Sequence, residues 1–284
     1  MAEPQSGKIQ ADGASLHYWT YGQSKNDPVL LVSAGNGAAL FFESLALLLS
    51  REFFVITFDR RGFYSSTIDS DESLSNILER NAIDCARILE TLSPRRPSFV
   101  FASSGSATIG FELLQRKPHL VAKLIIHEPI LIGLLSSSDR LYLEDIMRKT
   151  IHTYTESGSA PAGRLLMPAL SSPSDIASLK DAPILKRMKS LPLDSKDVYL
   201  EKELEAISRY PLDLENILQW RDQLCLCRGD AGSSALALSP VIKLSSLLGQ
   251  SLEVFPGGHH GYITHEKSFC EKLMRHLKPR TEKL

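Results

Sequence analysis

Short apolar runs recur through the first half of the chain, and they constrain its fold more than any other feature. Residues 29–32 and 53–58 are almost wholly apolar, residues 98–101 form a short β-prone run, and residues 121–126 repeat the pattern. A strand buried on both faces reads this way, whereas a half-exposed strand alternates. Residues 16–21 do alternate and read as an antiparallel edge strand. Between the runs, residues 40–49, 74–92 and 107–116 carry apolar side chains at helical spacing. Strand and helix in this rhythm imply an α/β class, a mostly parallel sheet flanked by helices and joined by right-handed crossovers. Ligands of such sheets lie beyond the carboxyl ends of the strands, so the loops after the apolar runs are where chemistry is expected.

After Pro129 the rhythm changes. Residues 140–155 read as a helix, residues 157–161 as a break. From there to Trp220 only helical or loop pattern occurs, punctuated by Pro168, Pro173, Pro183, Pro192 and Pro211. The sheet resumes at residues 224–227 and 251–255, with helices near 238–248 and 267–277. The expected division is a first core segment, 1–133, a helical insertion after the sixth strand, 134–220, and a second core segment, 221–284.

The 284 residues are enough for a large core, and 43% hydrophobic with 23% charged residues is ordinary for a globular protein. A net charge of −1 without a basic stripe speaks against nucleic acid or an anionic membrane as partner. No apolar run approaches the ~20 residues of a membrane helix, and residues 1–7 lack the apolar centre of a secretory signal. Cys85, Cys225, Cys227 and Cys270 include no Cys-x-x-Cys pair, so reduced thiols in a cytoplasmic protein are expected. No cofactor and no metal site are expected.

The most informative local piece is Val100-Phe101-Ala102-Ser103-Ser104-Gly105-Ser106-Ala107, which joins a strand directly to a helix. A nucleophile on such a sharp turn needs small residues two places to either side. Ala102 and Ser106 meet that need around Ser104. With Ser103 as nucleophile, Phe101 would occupy a position that wants a small side chain. A second piece, Phe255-Pro256-Gly257-Gly258-His259-His260-Gly261-Tyr262, places His259 on a glycine-rich loop after the last strand, suited to a general base; His260 is its adjacent rival and a candidate for lining the pocket. A third, Ser33-Ala34-Gly35-Asn36-Gly37, follows the first buried strand. Backbone N–H groups of Gly35 or Asn36, with that of Gly105, are candidates for an oxyanion hole.

In this order the motifs resemble those of the α/β-hydrolase superfamily. The likeness runs through Gly35-Asn36-Gly37, Phe58-Asp59-Arg60-Arg61-Gly62, Ala102-Ser103-Ser104-Gly105-Ser106, His127-Glu128-Pro129 and Pro256-Gly257-Gly258-His259. It implies that residues 134–220 are a cap and that Asp59 and the two arginines tie a loop beside the site. The chain departs from the family in having Ala34-Gly35 for the usual His-Gly, and glycine at the expected acid position in Gly229-Asp230-Ala231-Gly232. Asp230 is one candidate acid. Glu128 is the other; fungal lactonases that open the macrolide zearalenone are similar in placing their acid there and in their Ser-Ser-Gly elbow, and Glu128 is favoured because a triad's carboxylate must reach the second imidazole nitrogen. The resemblance implies a serine esterase or lactonase with Ser104, His259 and Glu128 as triad, acting on a small hydrophobic substrate under a roof that includes Leu131, Leu134 and Trp220. Lyase, cyclase or carbon–carbon hydrolase chemistry, or a receptor role, are alternatives on the same fold. A homodimer is left open.

Overall fold

The computed structural model describes residues 3–35, 37–188, 197–231 and 233–277. In chain order the elements are β1 (Gln5–Ala11), β2 (Ala14–Tyr21), β3 (Pro28–Val32), α1 (Glu43–Leu49), β4 (Phe54–Phe58), β5 (Thr67–Ile68), α2 (Ile77–Leu92), β6 (Ser98–Ser103), α3 (Ser106–Arg116) and β7 (Val121–His127). Among the described residues six α-helices follow: α4 (Ser137–Ser157), α5 (Ser159–Leu170), α6 (Pro173–Asp181), α7 (Pro183–Met188), α8 (Leu204–Ser208) and α9 (Leu214–Gln219). The chain then closes with β8 (Leu224–Gly229), α10 (Ala235–Leu248), β9 (Leu252–Phe255), α11 (Gly261–Thr264) and α12 (Glu266–His276).

The strands form one sheet in the order β1-β2-β4-β3-β6-β7-β8-β9, with β5 beside β2. Pairings from β4 to β9 are parallel; those of β1, β2 and β5 are antiparallel. The apolar runs are explained by what lies on each face. Leu30, Val32, Val100 and Ala102 belong to one buried cluster, with side chains of α2, α3 and α10. Their neighbours Val29, Leu31, Phe99 and Phe101 belong to the other, with side chains of α1 and α12. Successive residues of a strand point to opposite faces, so covering both faces demands an apolar residue at every position. Fully burying one such aliphatic side chain is worth roughly 1.5–3 kcal/mol.

Two expectations need correction. Residues 16–21 are not an edge: β2 is covered by β1, whose polar, largely exposed sequence QSGKIQA gives little apolar signal. The helical segment follows the seventh strand rather than the sixth: beside the five strands read as runs, the sheet holds the polar β1 and the two-residue β5. Helices α4 and α5 of that segment pack on each other and contribute Leu143, Met147, Ala162 and Leu166 to the first cluster. Helix starts there follow local chemistry. The Ser136 hydroxyl accepts from the N–H of Asp139 at 3.2 Å and that of Ser172 from Asp175 at 3.2 Å, each supplying an acceptor for a first-turn donor.

Candidate active site

Ser104, Glu128 and His259 sit on the loops after β6, β7 and β9, at the carboxyl edge of the sheet, and they touch. Ser104 Oγ lies 2.9 Å from His259 Nε2, and Glu128 Oε2 lies 2.9 Å from His259 Nδ1. A carboxylate facing Nδ1 keeps the imidazole proton on that nitrogen. Nε2 is then left to accept from the serine hydroxyl.

The serine is held in a strained conformation. Its φ is +58°, in the left-handed region that L side chains rarely adopt. The turn is fixed from three sides. Ser104 N–H donates to the His127 carbonyl at 3.0 Å, the Ile130 N–H donates to the Ser104 carbonyl at 3.3 Å, and the Ser106 hydroxyl donates to the Ser103 carbonyl at 2.9 Å. Small residues make the turn possible, as Ala102 and Ser106 are fully enclosed and α3 approaches so closely that a Cβ on Gly110 would stand 3.2 Å from that of Ala102. Ser103 is not a rival for Ser104. It is buried, and its hydroxyl lies 3.1 Å from His127 Nδ1, among Phe101, Phe255, Tyr262 and Phe269. Burial pushes the His127 pKa down to about 4, so this imidazole is neutral.

Glu128 also has positive φ, +44°, and is fully buried. Its Oε1 accepts from the Gly229 N–H at 2.7 Å and the Ser233 hydroxyl at 2.6 Å. Burial works to raise its pKa, but the His259 hydrogen bond, the neighbouring imidazoles and Ser233 together outweigh that and hold it at about 2. Asp230, the other candidate acid, is turned elsewhere: its Oδ1 accepts from the Gly257 N–H at 2.8 Å and so braces the histidine loop. Gly229 must be glycine, since a Cβ there would meet the Gly257 backbone and stand 3.1 Å from Glu128 Oε1. His260 pairs with the inserted segment, its Nδ1 lying 2.8 Å from Asp175 Oδ2 and 3.4 Å from Ser171 Oγ, with its ring 5.1 Å from that of His259.

Of the candidate oxyanion donors, Gly105 opens α3, where the first N–H groups have no intrahelical acceptor. Gly35 lies on the turn closed by the Gly37 N–H to the Ala34 carbonyl at 2.8 Å. Asn36 falls outside the described residues. Arg60 anchors the same turn: its guanidinium donates to the carbonyls of Ser33 and, at 2.8 Å, Ala34. It also pairs with Glu203, which accepts from Asn81 Nδ2 at 3.0 Å. Arg61 of the same motif points the other way, to Asp84 at 2.7 Å and the Ser73 carbonyl at 2.8 Å. Asp59 accepts from the Ala39 N–H at 2.9 Å and the Ser65 N–H at 3.1 Å, and burial raises its pKa to about 6.

The site's roof differs from the one read in the sequence. Leu131 follows Ile130 beside the serine turn and is buried, and Leu134 is partly buried in the same apolar cluster. Trp220 is a correction. It precedes β8, at the amino edge of the sheet and opposite Ser104, and its Nε1 donates to Asn216 at 3.2 Å. The sequence reading missed Tyr199, Glu203 and Ile207. Tyr199 and Glu203 lie on a π-helical turn, Tyr199–Glu203, of the kind often found at functional sites. A Cβ on Gly35 would stand 3.1 Å from the Tyr199 ring, and one on Gly105 2.7 Å from Ile207 Cδ1 and 3.8 Å from Tyr199. Those two side chains therefore cover both candidate oxyanion glycines. Only the rarity of π-turns, invisible in sequence spacing, sets this segment apart.

Comparison with known proteins agrees with this fold. The family model described as alpha/beta hydrolase fold matches residues 27–164. An uncharacterized hydrolase of Bacillus subtilis (strain 168), YraK, is 29% identical over 272 residues, covering 94% of each chain. Among solved structures, the enol-lactonase from Burkholderia xenovorans LB400 superposes with a TM-score of 0.75 at 13% identity, over 95% of this chain and 98% of that one. A thermophilic esterase from Thermogutta terrifontis gives 0.74 at 18% identity, over 96% and 98%. The chain has the α/β-hydrolase fold, and the match and the relatives support the superfamily of that name.

Proposed function

We propose that this chain is a serine hydrolase that cleaves an ester or lactone bond of a small hydrophobic molecule. The observation that carries the reading is the continuous relay Ser104 Oγ to His259 Nε2, and His259 Nδ1 to Glu128 Oε2, each 2.9 Å, ending on a serine held in left-handed backbone. His259 takes the hydroxyl proton as Ser104 Oγ attacks the carbonyl carbon. Glu128, anionic across the physiological range, stabilises the imidazolium and fixes its orientation. The N–H groups of Gly105 and of the Gly35 turn face the developing oxyanion; losing one such donor costs about 3–4 kcal/mol. The imidazolium then protonates the leaving alkoxide. Water, activated by the same imidazole, releases the acid and restores Ser104.

Residues 134–220 act as the cap, and its apolar side chains favour a hydrophobic acyl or ring. The enol-lactonase and esterase among the structural relatives, and the motif likeness to zearalenone-type lactonases, favour oxygen esters over amides. The test is labelling with a fluorophosphonate probe, followed by hydrolysis of p-nitrophenyl butyrate and of a macrocyclic lactone. Label on Ser104, lost in Ser104→Ala together with turnover, is the expected result. A folded protein that takes no label overturns the reading.

A further inference from the structure

Outside the serine site, one cluster of nucleophilic and titratable side chains is arranged around a thiol. Cys225 and Cys227 alternate along β8, so both point to the same face, and their sulfurs lie 3.7 Å apart. His276, in the last turn of α12, brings Nδ1 to 3.6 Å from Cys225 Sγ. Its Nε2 is buried and makes no hydrogen bond; Glu253 Oε2 lies 3.4 Å away, close enough for charge attraction. Lys272 pairs with Glu253 at 2.7 Å, and Lys123 of β7 donates to the His276 carbonyl at 3.3 Å. Cys227, the His276 imidazole and the Lys123 ammonium thus all favour the Cys225 thiolate. No set of three such groups among the described residues is placed to hold a metal ion.

We propose that Cys225 is a second reactive group of this chain, a thiol oxidised by hydroperoxides and resolved by Cys227 into an intrachain disulfide. Cys225 is 9% exposed, against 0% for Cys85 and Cys227 and 3% for Cys270. Its neighbours act in the same direction. The hydrogen bond with Cys227 and the His276 imidazole hold the Cys225 thiol well below its ordinary pKa in spite of burial, whereas burial pushes Cys227, Cys85 and Cys270 up. In the first step the Cys225 thiolate attacks a peroxide oxygen. An S–O bond forms, the O–O bond breaks, and the leaving oxygen takes a proton from solvent; sulfur loses two electrons and the peroxide gains them. In the second, Cys227 sulfur attacks the Cys225 sulfenic acid. The S–S bond forms, the S–O bond breaks, and hydroxide leaves with the Cys227 proton as water. The sulfurs must close to about 2.05 Å, and residues two apart on a strand have Cα atoms at about 6.7 Å, near the upper limit a disulfide spans. Forming it therefore tightens the pleat of β8. The Cys227 carbonyl accepts the Glu128 N–H at 3.1 Å, and Gly229 binds the Glu128 carboxylate, so the distortion reaches the acid of the relay.

The chemistry is tested without reference to turnover. Reduced protein is alkylated with iodoacetamide at about pH 6.5, and the cysteines are read by peptide mass spectrometry. Cys225 is expected to react about tenfold or more faster than Cys270, and His276→Asn to erase most of that advantage. With one equivalent of hydrogen peroxide, wild type should yield the Cys225–Cys227 disulfide. Cys227→Ser, its fold checked by circular dichroism, should instead trap a dimedone adduct on Cys225. Equal alkylation rates, or no adduct in the folded variant, overturn the proposal; an adduct in wild type without a disulfide overturns the resolving role of Cys227. Loss of esterase activity on oxidation, reversed by dithiothreitol, is a separate readout that rests on the Ser104 reading.

Discussion

Arg60 and Glu203 form a buried ion pair that joins the turn after β4 to the π-helical turn of the inserted helices, 143 residues further along the chain. Each guanidinium edge not spent on the carboxylate goes to the carbonyls of Ser33 and Ala34. Fixing those carbonyls fixes the peptide planes that follow, and with them the direction of the Gly35 N–H. The pair therefore fixes the candidate oxyanion turn from behind while anchoring the inserted helices in front.

Removing Arg60 leaves a buried carboxylate without its partner, which typically costs about 3–5 kcal/mol. Arg60→Met should lower the midpoint of urea unfolding accordingly. The double variant Arg60→Met, Glu203→Met removes both charges and should recover most of that stability. It should not recover kcat, because the Ser33 and Ala34 carbonyls still lack their donor. Recovery of both stability and kcat in the double variant would show that the pair serves folding alone.

Glu128 and Asp230 are separated by substitution. Glu128→Gln keeps the shape but removes the charge facing His259, and kcat should fall by about 10⁴. Asp230→Asn alters only the brace on the Gly257 N–H; it should cost about 1 kcal/mol of stability and leave kcat within a few-fold. Steady-state rates on a p-nitrophenyl ester, beside thermal melts, decide between them. A larger rate loss in Asp230→Asn would move the acid role to that residue.

How far the sequence carries the argument depends on whether a residue's partners are local. Ser104 was distinguishable from Ser103 because the small-residue rule acts over two positions, and the structure places Ser103 against His127 instead. Glu128 reaches His259 because parallel strands bring the residues that follow them to one edge, a consequence of topology that the strand pattern already implies. Trp220 failed because bulk and position in a helical segment do not say which end of the sheet a side chain reaches. β1 escaped because its strand character comes from pairing with β2, not from apolar alternation. The Arg60–Glu203 pair had no local signal at all: a buried charge is recognisable only once its distant partner is known.

Asp59 makes stability depend on pH in the direction opposite to Glu128. Burial raises its folded pKa to about 6 from an ordinary 3.8. The folded chain therefore binds more protons than the unfolded one between those values. The contribution of Asp59 to stability is fully present below about 3.8 and is lost as pH rises through about 6, to a total of up to about 3 kcal/mol. Glu128, depressed to about 2 from 4.5, stabilises above about 4.5 and loses that contribution as pH falls through 2. Urea melts of wild type and Asp59→Asn from pH 4 to 7 should show the wild type losing ground to the variant as pH rises. A constant difference across that range would refute the raised pKa.

Tyr199 and Ile207 stand over the two candidate oxyanion glycines, Gly35 and Gly105, so under the proposed function they should decide which acyl groups fit. Tyr199→Phe keeps the ring that contacts Gly35 and should leave kcat/KM within a factor of about two for p-nitrophenyl butyrate. Tyr199→Ala opens the space beside Gly35 and Gly105, and the ratio of kcat/KM for laurate over butyrate should rise by about tenfold, equivalent to about 1.4 kcal/mol of differential transition-state binding. Ile207→Ala should act in the same direction. It should also rescue Gly105→Ala, whose Cβ would meet Ile207 Cδ1 at 2.7 Å, because the far end of that side chain is the only obstruction among the nearest atoms that is not an ordinary contact. Unchanged chain-length preference in both Tyr199→Ala and Ile207→Ala would place the acyl group on another wall of the site and leave these side chains with packing alone.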